Sequence, residues 1–133
     1  HALGESSATV IDERGIQTAL AHAVVQGLLR LAEQGVAVGS AVLLLDGTRD
    51  FVTRHLPHPL KVVTRAKADR DCVSVAAASV LAKVHRDNGM VELHETYPEY
   101  GFASNKGYGS KAHRDAIAEH GITPVHRASW IKN

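Results

Sequence analysis

The sequence predicts an α/β protein in which helices cover a small sheet. Three observations carry that prediction. AVLLLD, residues 41–46, is a short apolar run that ends on a carboxylate, the pattern of a buried strand. LKVVTRAKAD, residues 60–69, is a second run of extended type that also ends on an aspartate. Stretches with three- and four-residue apolar spacing stand before and after the two runs, so helices flank strands.

The first helix rests on Ile16, Leu20, Ala23, Val24, Gly27, Leu28 and Leu31. Asp12 suits its N-cap and Gly35 its C-terminal stop. Residues 48–59 read as a loop punctuated by Pro57 and Pro59. In residues 70–87, Val73, Ala76, Ala77, Val80 and Val84 mark one helical face, and Asp71 suits the positive end of that helix. Its alanines and Ser79 make it slim enough to lie close against a sheet. Residues 88–102 begin as a short helix that breaks at Pro98. Ser110 caps a last helix, Gly121 stops it, and residues 122–133 form a tail. No repeat, low-complexity segment or linker interrupts the chain, so 1–133 reads as one domain. Two strands are few for this much helix, and the chain opens on His1 rather than methionine. Together they predict a chain that lacks some strands.

Composition narrows the function. Hydrophobic content of 44% and charged content of 22% are globular values, and a net charge of +1 gives no whole-surface basic field. A nucleic-acid partner must therefore be read from local clusters. A single cysteine, Cys72, excludes an internal disulfide and a cysteine-based zinc cluster, fits a reducing cytoplasm, and reads as a small buried residue. The most apolar stretch, 16–45, is broken by His22, Gln26, Arg30, Glu33 and Gln34 and is not a membrane span. His55 and His58 sit in a proline-bounded loop and read as loop residues.

Three constellations have chemical potential. Asp46 and Asp69 each end a predicted strand, where α/β proteins gather ligands, and two carboxylates there suit a shared hard divalent cation. The same residues also fit as turn formers, Asp46-Gly47 being a common turn pair. Lys83 and Arg86, three apart on one helix, suit either a phosphate or a solvated helix face. NKGYGS, residues 105–110, sets Tyr108 between two glycines with Lys106 before it, although aromatic residues are only 5% of the chain. Glycines there permit φ > 0 or a close approach by a ligand, and a glycine-rich turn opening a helix suits an anion. A surface loop with a half-buried ring fits as well.

Taken together, LLLDG (43–47), KAD (67–69), VAAASVLAKVHRD (75–87), YPEYGF (97–102), NKGYGS (105–110) and HRASW (126–130) resemble bacterial ribonuclease HII, in the same order. IDERGI (11–16) resembles that family's segment before its long helix. The resemblance implies a ribonuclease H-like fold, a mixed sheet flanked by helices. It implies metal-dependent cleavage of the RNA strand of RNA–DNA hybrids, and of duplex DNA 5′ to a single embedded ribonucleotide, leaving 3′-hydroxyl and 5′-phosphate ends. It implies that Asp46 and Asp69 bind Mg²⁺ or Mn²⁺ and are catalytic. It further implies that Tyr108 packs on the sugar beside the ribonucleotide, and that Lys106, Gly107, Lys83, Arg86 and Ser110 lie along the nucleic acid. A cytoplasmic monomer without membrane attachment is the expected form. The family pattern also has an Asp-Glu pair in its first strand and a Gly-Arg-Gly turn that reads the 2′-hydroxyl; no such segment is seen in this sequence. Asn105 stands where histidine is usual, Ser110 where threonine is, and Val10 where glutamate is common. The expectation is therefore a chain downstream of that strand, weakly active or inactive alone. The alternative is a non-catalytic nucleic-acid-binding module.

Overall fold

The structure, a computed structural model, describes residues 1–131. They fall into two compact units: residues 1–78 with 124–131, and residues 79–123.

In the first unit, α1 (Ala8–Arg14) starts on Ser7, whose hydroxyl accepts the N–H of Val10, and ends at Gly15. After the positive φ of Gly15 the chain continues directly as α2 (Ile16–Glu33). The predicted stop at Gly35 is present: it has φ 84° and donates its N–H to the Ala32 carbonyl. The predicted N-cap is displaced. Ser7, not Asp12, caps this region, and Asp12 lies inside α1. The buried face of α2 is also turned from the one expected, since Ala19 and Ala21 are buried while Leu20 is exposed. Small side chains are buried because the N-terminal segment lies along the helix. A Cβ on Gly4 would stand 1.7 Å from the Ala23 carbonyl oxygen, so only glycine fits there. The Glu5 N–H bonds Gln26, and the carbonyls of Leu3 and His1 accept from Arg30 and Gln34.

The sheet is a parallel pair, β1 (Val42–Asp46) against β2 (Lys61–Arg65), in register from Val42↔Lys61 to Asp46↔Arg65. Among the described residues it has these two strands. Parallel neighbours need a crossover, here residues 47–60. Within it Asp50 accepts the N–H groups of Val52 and Thr53 at 2.9 Å each, and Val52 is fully buried. β1 is less buried than its apolar run predicts: Leu45 is buried but Val42 is exposed. β2 ends four residues before Asp69. Lys67 then takes a left-handed conformation, φ 59°, and Ala68–Asp71 form a short helical turn, α3. Asp69 therefore sits in a helical turn, not at a strand end.

α4 (Val73–Thr96) is one continuous helix of 24 residues, longer than the two pieces expected. None of its residues is buried, and Val73, at the head of the predicted core face, is 88% exposed. The slim face predicted to lie on a sheet is open among the described residues. Cys72, just ahead of it, is half-buried.

The tail returns to α1. The Asp12 carboxylate accepts the Ala128 N–H at 2.8 Å, the Ser129 N–H at 3.1 Å and the Ser129 hydroxyl. Arg127 lies over the ring of Trp130, 4.6 Å from its centroid. The Ser129 hydroxyl, more than any other group, holds the Asp12 carboxyl below its ordinary range. A depressed carboxyl stabilises the folded tail above its unfolded pKa, near 4, and that stability is lost as pH falls through the lower folded value. Trp130, the single tryptophan, is the expected reporter: its fluorescence should change in an acid transition below about pH 4. In Asp12→Ala the change should already be present at neutral pH. Identical acid titrations for the two proteins would refute the clasp.

In the second unit, Pro98 starts a 3-10 turn (Pro98–Tyr100), followed by α5 (Phe102–Asn105) and α6 (Lys111–His120). Both predicted caps of α6 are present: the Ser110 hydroxyl accepts the His113 N–H at 3.2 Å, and Gly121 has φ 82°. Tyr100, Phe102, His113 and Ala116 are buried, with the Tyr100 and Phe102 rings stacked 5.7 Å apart. No helix among the described residues is long and apolar enough to cross a membrane.

Candidate functional site

Asp46 closes β1. Its Oδ1 accepts the neighbouring Gly47 N–H at 2.9 Å and the Ala68 N–H at 2.8 Å. Ala68 is fully buried and opens α3. The carboxylate thus ties the end of β1 to the residue immediately before Asp69, which explains how two aspartates far apart in sequence come to one end of the sheet. Asp69 lies in the first turn of α3 and is exposed. No hydrogen bond falls on Asp46 Oδ2 or on the Asp69 carboxylate among the described residues, so these oxygens face no backbone competitor for a cation. Asp71, on the same turn, is instead bound by Arg65 at 2.9 Å.

Carboxylate oxygens are the donors Mg²⁺ and Mn²⁺ prefer, with waters completing the shell. The donor set of this chain fits such an ion only in part. Among the described residues no three His, Cys, Asp or Glu side chains gather where they would hold a metal.

The second unit carries the basic and aromatic residues. Lys83 and Arg86 both bind Asp87, at 2.7 Å and 2.8 Å. Lys83 is the main reason the Asp87 carboxyl lies below its ordinary range. The Arg86 guanidinium also stands over the Tyr108 ring, 5.2 Å from its centroid, and donates to the Tyr108 hydroxyl at 3.3 Å. That bond is the chief cause of a raised Arg86 pKa. Tyr108 is 64% exposed, with one ring face toward a cation that holds its orientation.

The turn beneath the ring is tighter than two glycines suggest. Lys106 is left-handed at φ 52° and Gly107 at φ 80°, whereas Gly109 is not at positive φ. Two successive positive φ values and a Tyr108 N–H bonded to the Asn105 carbonyl at 2.9 Å make a type I′-like turn. A Cβ on Gly107 would also meet the Met90 sulfur at 3.3 Å. The Lys106 ammonium folds back on the Ala103 carbonyl at 2.6 Å, and the Ser110 hydroxyl is engaged as a helix cap. Sequence reading passed over Asp87 and Ala68, and noted Asn105 only as a departure from the family pattern. The i,i+4 spacing of Lys83 and Asp87 was the one available signal for these.

A helix-rich α/β chain with a small parallel pair closed by an aspartate is consistent with the ribonuclease H-like class. The family model for ribonuclease HII matches residues 4–133. The chain is 45% identical over 130 residues to ribonuclease HII of Streptomyces avermitilis, covering 98% of this chain and 52% of that one. It is 44% identical over 128 residues to ribonuclease HII of Chloroherpeton thalassium, covering 96% and 58%. Against ribonuclease HII of Clostridioides difficile, identity is 57% over 67 residues, covering 50% and 26%. The chain belongs to the ribonuclease HII family. It spans about half the length of the curated relatives it matches.

Proposed function

We propose that this chain carries part of the catalytic and substrate-binding surface of a metal-dependent endoribonuclease. The substrates are the RNA strand of RNA–DNA hybrids and single ribonucleotides embedded in duplex DNA, cut 5′ to the ribonucleotide to leave 3′-hydroxyl and 5′-phosphate ends. The observation that carries the reading is the 2.8 Å bond from Ala68 N–H to Asp46, which sets Asp46 beside the helical turn of Asp69. Asp46 and Asp69 would hold Mg²⁺ or Mn²⁺. The chemistry such an ion supplies when bound is activation of the attacking water and stabilisation of the leaving 3′ oxygen. Tyr108 packs on the deoxyribose beside the ribonucleotide, with Arg86 holding its ring. Gly107 admits the backbone of the substrate, while Lys83, Lys106 and Ser110 line its path. Lys83 and Arg86 reach a phosphate by exchanging it for Asp87. With two carboxylates rather than a full set, the 133-residue chain alone cleaves weakly or not at all. The reading includes a cytoplasmic monomer, which the single cysteine suits.

Equilibrium binding of the 133-residue chain to two short duplexes, one all DNA and one with a single ribonucleotide, tests the reading. The ribonucleotide duplex is expected to bind more tightly, with affinity for both falling as salt rises. Tyr108→Ala should weaken the ribonucleotide duplex by about fivefold or more, the scale of a lost aromatic stack, and remove the preference. Equal affinities for the two duplexes in the unsubstituted chain would overturn the sugar-reading role.

A further inference from the structure

The NKGYGS turn is joined to the core of its unit by one side chain that the proposed function leaves unused. The Asn105 amide has two arms. Its Nδ2 donates to the Tyr100 carbonyl at 2.6 Å, and its Oδ1 accepts the Gly107 N–H at 2.8 Å. The amide orientation follows from these partners, since a carbonyl only accepts and an N–H only donates. The Tyr100 carbonyl and the Asn105 Nδ2 both meet the buried His113, whose Nδ1 lies 3.0 Å from that oxygen and 3.3 Å from Nδ2. Tyr100 is pinned in turn, its ring stacked on Phe102 and its hydroxyl donating to the Gly121 carbonyl at 3.0 Å.

The turn needs such an anchor. Lys106 is in a conformation that residues with a Cβ rarely adopt, and a strained turn persists only where its surroundings over-determine it. On the turn's own backbone, the Tyr108 N–H bonds the Asn105 carbonyl and the Lys106 N–H bonds the Phe102 carbonyl. The link that reaches past the turn to the buried Tyr100 is the Asn105 amide.

We propose that Asn105 is a positioning residue for Tyr108: its amide carries the geometry of the Tyr100–His113 core to the Gly107 N–H, and so sets the backbone from which the tyrosine projects, while Arg86 holds the ring itself. The consequence for substrate rests on the sugar-reading role of Tyr108; the consequence for the turn does not.

Two readouts on the 133-residue chain test the proposal. The first is nuclear magnetic resonance of the turn: the scalar coupling of Lys106, which reports its φ, and the amide shifts of Gly107 and Tyr108. The second is the ratio of affinities for the ribonucleotide and all-DNA duplexes. Asn105→Ala should shift the coupling and both amides and bring the ratio at least halfway to one, with all-DNA affinity within about twofold. Asn105→Asp keeps the acceptor for Gly107 but sets an oxygen against the Tyr100 carbonyl, so it too should shift the Lys106 coupling and both amides. Where a thermal melt shows Asn105→Ala unfolded, Asn105→Leu, of similar size and without either arm, makes the same comparison. Unchanged coupling and amides in the folded variant would overturn the proposal whatever the nucleic acid does. An unsubstituted chain with no duplex preference would fail the sugar reading, and the turn readout then decides the positioning claim alone.

Discussion

Asp46→Asn should leave the fold intact and remove metal binding, whereas Asp46→Ala should damage both. The two substitutions separate the roles of one side chain. Oδ1 is a structural acceptor for Gly47 and for the buried Ala68 N–H, and asparagine retains an oxygen there. Alanine leaves the Ala68 donor unpaired away from water, which costs about 1–3 kcal/mol. Asparagine should stay within about 0.5 kcal/mol of the unsubstituted chain, as surface changes do. Charge is what the cation needs, and both variants lose it. Losing an outer partner of a metal ligand already costs about 10–100-fold in affinity, so losing the ligand should cost no less. Mn²⁺ binding followed by water proton relaxation, beside urea denaturation of the same samples, checks both parts. Equal stability of the two variants would refute the structural role, and undiminished Mn²⁺ binding in Asp46→Asn would refute the metal role.

The second large effect is expected at Phe102, in the core of the second unit. Phe102 is 3% exposed, stacked on Tyr100 and 5.4 Å from the His113 ring. Its unit has few large buried side chains, so the ring has no substitute. Phe102→Ala should cost about 3–5 kcal/mol, the usual penalty for deleting a buried aromatic ring. The loss should travel beyond stability. Tyr100 would lose its stacking partner, and with it the fixed carbonyl on which Asn105 and His113 converge. Denaturant unfolding measures the first part; a loss below about 1 kcal/mol would show that the ring is not a keystone of the unit.

What was legible in the sequence follows from how local each cause is. The stop of α2 at Gly35 and both ends of α6 were readable, because a cap is a local hydrogen bond with a short list of residues able to make it. β1 was readable from its apolar run, although its exposure was not, since burial depends on what covers a strand. Asp12 shows the limit of local reasoning. It has the composition of a cap, but its partners lie 116 and 117 residues away. At the candidate site, the residue types were legible and their placement was not. Lys67 at φ 59° ends the extended segment and starts the turn of Asp69, and Lys106 at φ 52° tightens the turn of Tyr108. A left-handed lysine carries no sequence signature, because its strain is offset by tertiary bonds. The exposed apolar face of α4 read as core for the same reason: periodicity reports a face, not its cover.

The central claim is that Asp46 and Asp69 are catalytic carboxylates of a ribonuclease. The most direct test grafts this chain in place of the matching part of Streptomyces avermitilis ribonuclease HII, to which it is 45% identical. The folded chimera is then incubated with Mg²⁺ or Mn²⁺ and duplex DNA carrying one ribonucleotide. The expected result is nicking 5′ to the ribonucleotide, abolished separately by Asp46→Asn and by Asp69→Asn. A folded chimera that binds the duplex and never nicks it, or one that nicks equally well without either carboxylate, would contradict the claim and leave this chain a nucleic-acid-binding module.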